Sequence, residues 1–205
     1  VNRDENVHGC LLFRPLPSFV DESHMCELLD PKKDIDGITL ASLASVFTDG
    51  HAGYPPATAA ACIQLLDHYQ VPLQGTHVVV VGRRLVVGKP VSMMLLRRNA
   101  SVTICHSRTE NLQEISRSAD IVICATGRAR AYGREYFRPG QTVLDVGINF
   151  DVHGKLCGDV DFDEVEPIVD AITPVPGGVG TVTTSMTMQH TVAAAEAQLK
   201  ESLKG

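Results

Sequence analysis

Four short segments in the middle of the chain are predominantly apolar. These runs cover residues 77–81, 101–105, 120–125 and 142–146. They are rich in Val and Ile and apolar on both faces, which is typical of strands buried on both sides of a parallel sheet. The intervening segments predict helices over Pro90–Arg98 and Asn111–Ser118, with Thr109 as the expected N-cap of the second.

The order strand, helix, strand recurs along these residues. Such repetition predicts right-handed βαβ crossovers and a doubly wound parallel sheet of the α/β class, that is, a Rossmann-type fold. In this fold a nucleotide binds in the crevice at the carboxyl ends of the strands. The residues that follow each run are therefore the candidates for ligand contacts.

The flanking segments predict further elements. Gly9–Phe13 is a short strand candidate that ends at the prolines of Pro15–Pro17, and Ala57–Tyr69 has the apolar spacing of a helix. Thr183–Leu203 is rich in helix-forming residues and predicts one long helix. Because this helix follows the sheet directly, we expect it to pack back on the N-terminal part, which makes that part discontinuous in sequence.

Charge and composition narrow the classes of partner. The formal net charge of -6 at pH 7 disfavours nucleic acid and anionic membranes, which select basic faces. No apolar run approaches the roughly 20 residues of a membrane span, and the first residues lack a signal-peptide core, so we expect a cytoplasmic protein. The six cysteines include no C-x-x-C pair, and we expect reduced, structural thiols.

A glycine loop follows the first run. The loop lies where backbone N–H groups at a helix N-terminus hold the pyrophosphate of a dinucleotide. Its glycines do not match the G-x-G-x-x-G pattern, so a plain strand-turn-helix stays open as an alternative. The predicted cofactor contacts of the loop are Gly82, Arg83, Arg84, Val87, Gly88, Lys89 and Pro90.

The end of the second run indicates which coenzyme binds. An NAD-preferring fold usually offers Asp or Glu there to the ribose hydroxyls, whereas this chain offers His106, Ser107 and Arg108. Guanidinium groups of Arg108, Arg83 and Arg84, with the Ser107 hydroxyl, suit a 2′-phosphate, so the sequence predicts NADP rather than NAD. The alternative is that these arginines are solvated loop charges.

The third and fourth runs also end at glycines. Thr126 and Gly127 follow the third run, and Gly147 and Ile148 follow the fourth. A glycine marks a place where the backbone passes close to another group. We predict cofactor contacts at all four residues, while packing against a neighbouring element explains either glycine equally well.

Four segments carry a resemblance to a known family and occur in its order. They are Val81–Pro90 (VGRRLVVGKP), Asp145–Asn149 (DVGIN), Gly158–Phe162 (GDVDF) and Ile172–Gly180 (ITPVPGGVG). Upstream, Val7–Gly9 with Pro15–Pro17, and then Lys33–Gly37 (KDIDG), are similar to its folate-side segments. The chain thus resembles the bifunctional methylenetetrahydrofolate dehydrogenase/cyclohydrolase family over nearly its whole length.

The resemblance implies an enzyme of one-carbon metabolism. Such an enzyme oxidises 5,10-methylenetetrahydrofolate with NADP and hydrolyses the methenyl product to 10-formyltetrahydrofolate. It implies tetrahydrofolate derivatives as substrates, no metal, and a homodimer that pairs through the nucleotide domain. It also implies a partial α/β folate and catalytic domain over residues 1–70, an NADP-binding Rossmann-type domain over 71–178, and a C-terminal helix over 179–205 that packs back on the first domain.

Site residues on the folate side also follow from the resemblance. Asp36 is implied as the catalytic and substrate-binding carboxylate, a hydrogen-bond partner of the pterin ring, with a turn-forming Asp-Gly pair as the alternative. Pro176, Gly177 and Gly178 are implied to press backbone against the substrate. A tight structural loop before a helix is the alternative for that segment.

The chain departs from the family pattern in several places. The Tyr-x-x-x-Lys pair of the hydrolytic step is not found, which leads us to expect that the chain is a fragment of a longer protein. Further departures are Phe13 and Arg14 before the Pro-Leu-Pro segment, Pro56-Ala57-Thr58-Ala59, Arg84 and Thr181. They leave open another NADP-linked small-molecule dehydrogenase, or a ligand-binding relative without catalysis.

Overall fold

A five-stranded parallel sheet forms the centre of the molecule in a computed structural model, which describes residues 1–203. The sheet contains β1 (His77–Val81), β2 (Ser101–Cys105), β3 (Ile121–Cys124), β4 (Thr142–Asp145) and β7 (Ala171–Ile172), and a small antiparallel pair contains β5 (Asn149–Phe150) and β6 (Leu156–Cys157). The order is β2-β1-β3-β4-β7, and every neighbouring pair is parallel. The positions of the four predicted strands are therefore confirmed, with ends that differ by at most one residue. The predicted burial on both sides is wrong for β2, which is an edge strand with Ser101 and Ile104 exposed.

Helices cover both faces of this sheet. They are α1 (Glu22–Leu28), α2 (Leu40–Thr48), α3 (Ala57–His68), α4 (Gly88–Arg97), α5 (Leu112–Ser118), α6 (Phe162–Val165) and α7 (Val179–Ser202), with short 3-10 turns over Pro31–Lys33 and Arg134–Tyr136. One face, which includes Val78 and Val80, packs against α3, α4 and α7. The other face, which includes Val79 and Val81, packs against α5 and Phe137. This alternation makes the fold the predicted doubly wound α/β type.

The strand order fixes where a ligand crevice lies. The chain passes from β1 to β2 on one side and then returns across β1 to β3, so the direction of winding reverses between β1 and β3. In open α/β sheets ligands bind outside the carboxyl ends of the strands at such a reversal. The loops after β1, β2, β3 and β4 all lie at this edge.

Two local predictions are wrong. Gly9–Phe13 forms no strand: its pairing with the neighbouring segment is limited to one bridge between Cys10 and Asp34, where the Cys10 N–H donates to the Lys33 carbonyl at 2.7 Å. Thr109 is not a helix cap, because its Oγ1 accepts a hydrogen bond from the His106 N–H at 2.9 Å. Helix α5 instead begins after Asn111, which has a left-handed backbone.

The long C-terminal helix is present and begins four residues earlier than predicted. It spans Val179–Ser202 and buries Val179 and Ala194, while the last two residues of the predicted 179–205 segment lie outside the described residues. Val179 shares one core with α3, whose buried side includes Ala59, Ala61 and Cys62. Small side chains on α3 leave room for the two helices to approach closely. Within residues 1–203, no helix combines the length and apolar character needed to cross a bilayer.

Candidate active site

The loop between β1 and α4 is folded tightly against the sheet. Gly82 has a φ of 142°, and a Cβ on it would overlap the Ala125 carbonyl. A Cβ on Gly88 would overlap the carbonyl of Gly82, so the start of α4 lies directly on the end of β1. Both glycines are therefore required by close backbone approach.

Helix α4 begins at the crevice without a side-chain cap. Its N-cap residue is Val87, which cannot accept a hydrogen bond from the first N–H groups. An uncapped helix N-terminus carries partial positive charge and N–H donors that suit an anion. Pro90 has no N–H, and the N–H groups of Lys89 and Val91 donate to the carbonyls of Arg84 and Val87, so an anion here would meet the Gly88 N–H and the partial positive charge of the helix end.

Cationic side chains surround this helix end. Arg83, Arg84 and Lys89 are exposed, and none of them forms an ion pair with residues 1–203. Their charge is therefore available to a dianion. Pro90 is buried at the start of the helix, where its fixed φ is suitable.

The turn after β2 lies next to this loop and is held by its own hydrogen bonds. The Thr109 N–H donates to the His106 carbonyl at 2.9 Å, and the Arg108 N–H donates to His106 Nδ1 at 3.1 Å. Ser107 and Arg108 are exposed at the tip, and no carboxylate stands between β2 and Thr109. The turn therefore has the composition that the sequence analysis associated with NADP.

Two buried carboxylates, Asp145 and Asp159, organise the loops after β3 and β4; we call them the aspartate pair. Asp159 is fully buried and accepts five hydrogen bonds. The donors are the N–H groups of Thr126, Gly127 and Arg128, the Thr126 hydroxyl and the Asn149 amide. A single side chain thus fixes the predicted cofactor contacts Thr126 and Gly127.

Asp145 completes the aspartate pair from the end of β4. It accepts hydrogen bonds at 2.9 Å from the N–H groups of Gly147, Asp159 and Val160. Burial raises the pKa of Asp145 to about 6, although these three N–H donors, which favour the carboxylate, act in the opposite direction. The backbone of the 158–160 segment is thereby attached to β4.

The aspartate pair also explains glycines that the sequence left ambiguous. A Cβ on Gly147 would overlap the Asp159 carboxylate, and a Cβ on Gly158 would overlap that of Asp145. Gly127 meets no neighbour within 4 Å, but its φ of 69° is one that other residues rarely adopt. The aspartate pair was not predicted from the sequence, where its signal is a carboxylate, Asp145, inside the apolar run 142–146.

A cavity of about 640 Å³ opens in front of β4. Gly147 and Ile148 line one side of it, and the segment 174–181 lines another, including the predicted Pro176, Gly177 and Gly178. Gly178 is the N-cap of α7 and also provides no side-chain cap. The structure therefore brings predicted coenzyme and substrate contacts to one cavity.

Asp36 lies in a second cavity of about 240 Å³, which it shares with Arg14 and Glu22. The backbone beside it is fixed by Asp34, which is fully buried and accepts hydrogen bonds from the Thr39 N–H at 2.8 Å and the Ser42 hydroxyl at 2.7 Å. Burial raises the pKa of Asp36, and the nearby Arg14 charge opposes that increase.

Helix α7 supports the Asp36 segment from behind. His190 is buried on α7, and its Nδ1 lies 2.9 Å from the Ile35 carbonyl, while its ring stacks on Tyr54. Burial lowers the pKa of His190, which favours the neutral ring. The C-terminal helix thus helps to position the residue next to Asp36.

Thr58 joins the two cavities. It lies in the first turn of α3 and lines both the cavity beside Asp36 and the cavity beside Gly147. Leu85 and Val86, in the loop between β1 and α4, also line the cavity of Asp36. The cavity beside Asp36 therefore extends to the loop between β1 and α4.

Comparison with known proteins gives consistent matches. The family described as "Tetrahydrofolate dehydrogenase/cyclohydrolase, NAD(P)-binding domain" matches residues 56–199. The bifunctional protein FolD of Carboxydothermus hydrogenoformans is 52% identical over 198 residues, covering 96% of this chain and 69% of the relative. FolD of Clostridioides difficile is 48% identical, with 97% of this chain and 69% of the relative covered.

Solved structures agree with these matches. The FolD methylenetetrahydrofolate dehydrogenase/cyclohydrolase of Campylobacter jejuni superposes with a TM-score of 0.93 at 36% identity and covers 96% of this chain and 70% of that one. The Trypanosoma brucei enzyme, solved with NADP and an inhibitor, has a TM-score of 0.90 at 34% identity, with 97% and 70% covered. The chain therefore belongs to the tetrahydrofolate dehydrogenase/cyclohydrolase family.

Proposed function

We propose that the crevice at the carboxyl edge of the sheet holds NADP against a tetrahydrofolate derivative bound beside Asp36. The reaction is the NADP-dependent oxidation of 5,10-methylenetetrahydrofolate to 5,10-methenyltetrahydrofolate, followed by hydrolysis to 10-formyltetrahydrofolate. The observation that carries this assignment to particular residues is the shared lining of the two cavities at Thr58. It supports a substrate and a coenzyme that meet at one point.

Positioning is the main contribution of these residues to the oxidation. When bound, NADP accepts the hydride of the methylene bridge. The chain's residues hold the two reactants at contact distance, and fixed geometry of this kind accounts for a large part of the rate of a two-substrate reaction. The aspartate pair fixes the loops on the coenzyme side, and Asp34 fixes the segment of Asp36 on the folate side.

The coenzyme contacts divide into three groups. The uncapped start of α4, with Gly82, Gly88 and Lys89, suits the pyrophosphate. Arg83, Arg84, His106, Ser107 and Arg108 are proposed to surround the 2′-phosphate. Thr126, Gly127, Gly147 and Ile148 are proposed to face the nicotinamide half, with Val87 and Pro90 shaping the start of the helix.

Coenzyme selectivity tests this assignment. Replacing Arg83 or Arg108 by Ala removes a charge-assisted contact to the 2′-phosphate, which is worth about tenfold or more in affinity. We expect the dissociation constant of NADP to rise by about that factor and that of NAD to change by less than about twofold. Titration calorimetry with each dinucleotide measures both constants.

Arg134→Ala is the matched control. Arg134 is an exposed arginine outside the crevice loops, so its loss removes the same charge at a distance from the coenzyme. We expect no selective loss of NADP in this variant. Equal weakening of NADP and NAD by Arg83→Ala or Arg108→Ala contradicts the 2′-phosphate contact.

We further infer the domain division from contacts between the N-terminal segment and helix α7. The folate side comprises residues 1–70 and helix α7, and residues 71–178 form the coenzyme domain. Hydrogen bonds between His190 and Ile35 and between Gln198 and His8, and an ion pair between Lys32 and Glu201, support the grouping of α7 with the N-terminal segment.

Quaternary structure and location complete the proposal. We infer a homodimer that pairs through the coenzyme domain and a cytoplasmic location. All six cysteines are free thiols, five of them buried, which is consistent with a reducing compartment. Sedimentation of the purified chain tests the dimer.

A further inference from the structure

Arg14 occupies a position beside Asp36 that the proposed reaction has not used. Only 25% of its side chain is exposed, and its Nη2 lies 3.9 Å from Asp36 Oδ2. Its Nη1 lies 3.8 Å from Glu22 Oε1 on the other side. Both distances exceed hydrogen-bond range, so within residues 1–203 the guanidinium has ionic neighbours but no hydrogen-bond acceptor.

The Asp36 carboxylate is in a similar state. It accepts no hydrogen bond from residues 1–203, in contrast to its buried neighbour Asp34, whose oxygens accept from two N–H groups and a hydroxyl. A partly buried charge without hydrogen bonds is costly to keep. Arg14 and Asp36 are therefore adjacent polar groups whose hydrogen-bonding capacity is directed to the cavity they both line.

The size and lining of the cavity limit which chemical groups can contact Arg14 and Asp36. Its volume of about 240 Å³ is below the roughly 300–1,000 Å³ of sites that enclose a drug-sized ligand, so it suits one end of a larger molecule. Apolar walls come from Ile38, Leu43 and Leu85. A flat heterocycle with a polar edge matches a slot that is apolar on its sides and carries donors and acceptors at one end.

We propose that Arg14 is a specificity-determining residue that donates a hydrogen bond to the 4-oxo group of the pterin while Asp36 accepts from its N3–H and 2-amino groups. The inference rests on the proposed function, which places the pterin beside Asp36. The pyrimidinone edge of a pterin presents an acceptor followed by two donors, and Arg14 and Asp36 present the complementary donors and acceptors. A planar guanidinium next to a carboxylate suits such an edge.

The proposed hydrogen bond from Arg14 requires an acceptor at position 4 of the pterin. A 4-amino group in place of the 4-oxo group turns the acceptor into a donor, which then faces the donors of Arg14. Two donors directed at each other leave both unsatisfied. Arg14 therefore favours 4-oxo pterins over 4-amino pterins.

Folic acid and aminopterin differ in that substituent and also at N3, which carries a proton in folic acid and is an acceptor in aminopterin, so aminopterin loses one contact to Asp36 as well. The part of the difference that Arg14→Met removes is therefore the part that belongs to Arg14. We expect the chain to bind folic acid more tightly than aminopterin in titration calorimetry. Arg14→Met keeps an apolar stem of similar length and removes the donors. We expect it to weaken folic acid by about tenfold and aminopterin by less than about twofold, as for loss of one charge-assisted hydrogen bond.

Three further variants separate the possible outcomes. Arg97→Met removes an ion-paired arginine on α4 that does not line the cavity, and we expect both affinities to be unchanged. Arg14→Lys keeps a charged donor, and we expect it to retain part of the preference for folic acid. Asp36→Asn leaves one neutral acceptor oxygen in place of the carboxylate that accepts from the 2-amino group of both ligands, and we expect it to weaken both.

The outcomes distinguish this inference from the proposed function. Equal weakening of both ligands by Arg14→Met, or no change with either, overturns the 4-oxo contact and leaves the assignment of Asp36 intact. Unchanged affinities in Asp36→Asn, or no binding of either ligand by the original chain, overturn the proposed folate site itself. Circular dichroism of each variant establishes that the fold is retained.

Discussion

The buried carboxylates on the coenzyme side and the Asp36 carboxylate on the folate side differ in their hydrogen bonding. On the coenzyme side, the aspartate pair is buried and accepts eight hydrogen bonds from the chain's own groups. On the folate side, Asp36 accepts none from residues 1–203 and has the Arg14 guanidinium 3.9 Å away as its ionic neighbour. Aspartates therefore hold the loops in place on the coenzyme side, whereas Asp36 is proposed to bind the pterin on the folate side.

This difference indicates how each side prepares for its ligand. Loops held by a saturated carboxylate keep one conformation whether or not a ligand is bound, which lowers the cost of ordering them. A carboxylate without partners keeps its acceptors for a ligand and gains them only on binding. Removing a carboxylate should accordingly cost folding stability on the coenzyme side and binding affinity on the folate side.

The largest expected effect is that of Asp159→Asn. An amide has one acceptor oxygen, whereas the Asp159 carboxylate has two. In the variant the NH₂ group therefore faces backbone N–H donors that now donate to the carboxylate, and those donors lose their acceptor. We expect the free energy of unfolding to fall by about 3–5 kcal/mol, as when one member of a buried hydrogen-bonded network is removed. Urea unfolding followed by circular dichroism measures the change.

Asp163→Asn is the control for this loss. Its side chain is 81% exposed and lies 3.4 Å from the Arg130 guanidinium. Exposed ion pairs contribute about 0–1 kcal/mol, so we expect a change within about 0.5 kcal/mol. Similar losses in both variants contradict a structural role specific to Asp159.

The next effect is a pH dependence caused by Asp145. Its pKa is raised from 3.8 to about 6, so between these values the folded protein keeps a proton that the unfolded chain has released. The stabilisation is complete below about pH 4 and is lost as the pH rises through 6. The loss is at most about 3 kcal/mol, because each pKa unit corresponds to about 1.4 kcal/mol.

Asp145→Asn isolates this contribution. Other groups, including Asp36 and His190, also titrate with shifted pKa values, and they do so in both proteins. The difference between the two unfolding free energies, measured in urea from pH 4 to pH 7, should therefore change by up to the expected amount and then level off. A difference that is constant over this range shows that Asp145 does not release a proton there.

The smallest effect on stability belongs to the folate side. Asp36→Asn removes a carboxylate that accepts no hydrogen bond in residues 1–203 and whose ionisation is opposed by burial. We expect the free energy of unfolding to stay within about 0.5 kcal/mol, as for substitutions that break no packed or bonded network. Thermal unfolding at neutral pH checks it, and a loss comparable to that of Asp159→Asn removes the contrast between the two sides.

Much of the fold was predictable because its signals are local. Runs such as 77–81 are apolar on both faces, which few structures other than a buried parallel strand explain, and Gly82 and Gly88 mark the loop that follows. The family resemblance added the folate-side residues. Helices α1 and α2 were not predicted, although the side chains of Asp21 and Thr39 cap them and are sequence signals of a helix N-terminus.

The aspartate pair was beyond the reach of local patterns. Asp159 contacts Thr126, which is 33 residues away, and Asp145 contacts Val160 at a separation of 15. Neither spacing is distinctive, and Asp side chains are mostly exposed in folded proteins, so the sequence alone did not indicate burial. The strand prediction for Gly9–Phe13 was wrong for a similar reason, because a strand depends on pairing with a neighbour that the segment itself does not specify.

The hydrogen bond between His190 and the Ile35 carbonyl has a consequence for the order of folding. The ribosome releases residue 35 long before residue 190, and the whole parallel sheet lies between them. Strands of that sheet associate with segments close to them in sequence, whereas the Asp36 segment waits for a helix made after the last strand. In nascent chains that end before α7, we therefore expect the sheet to resist proteolysis and the Asp36 segment to be cleaved.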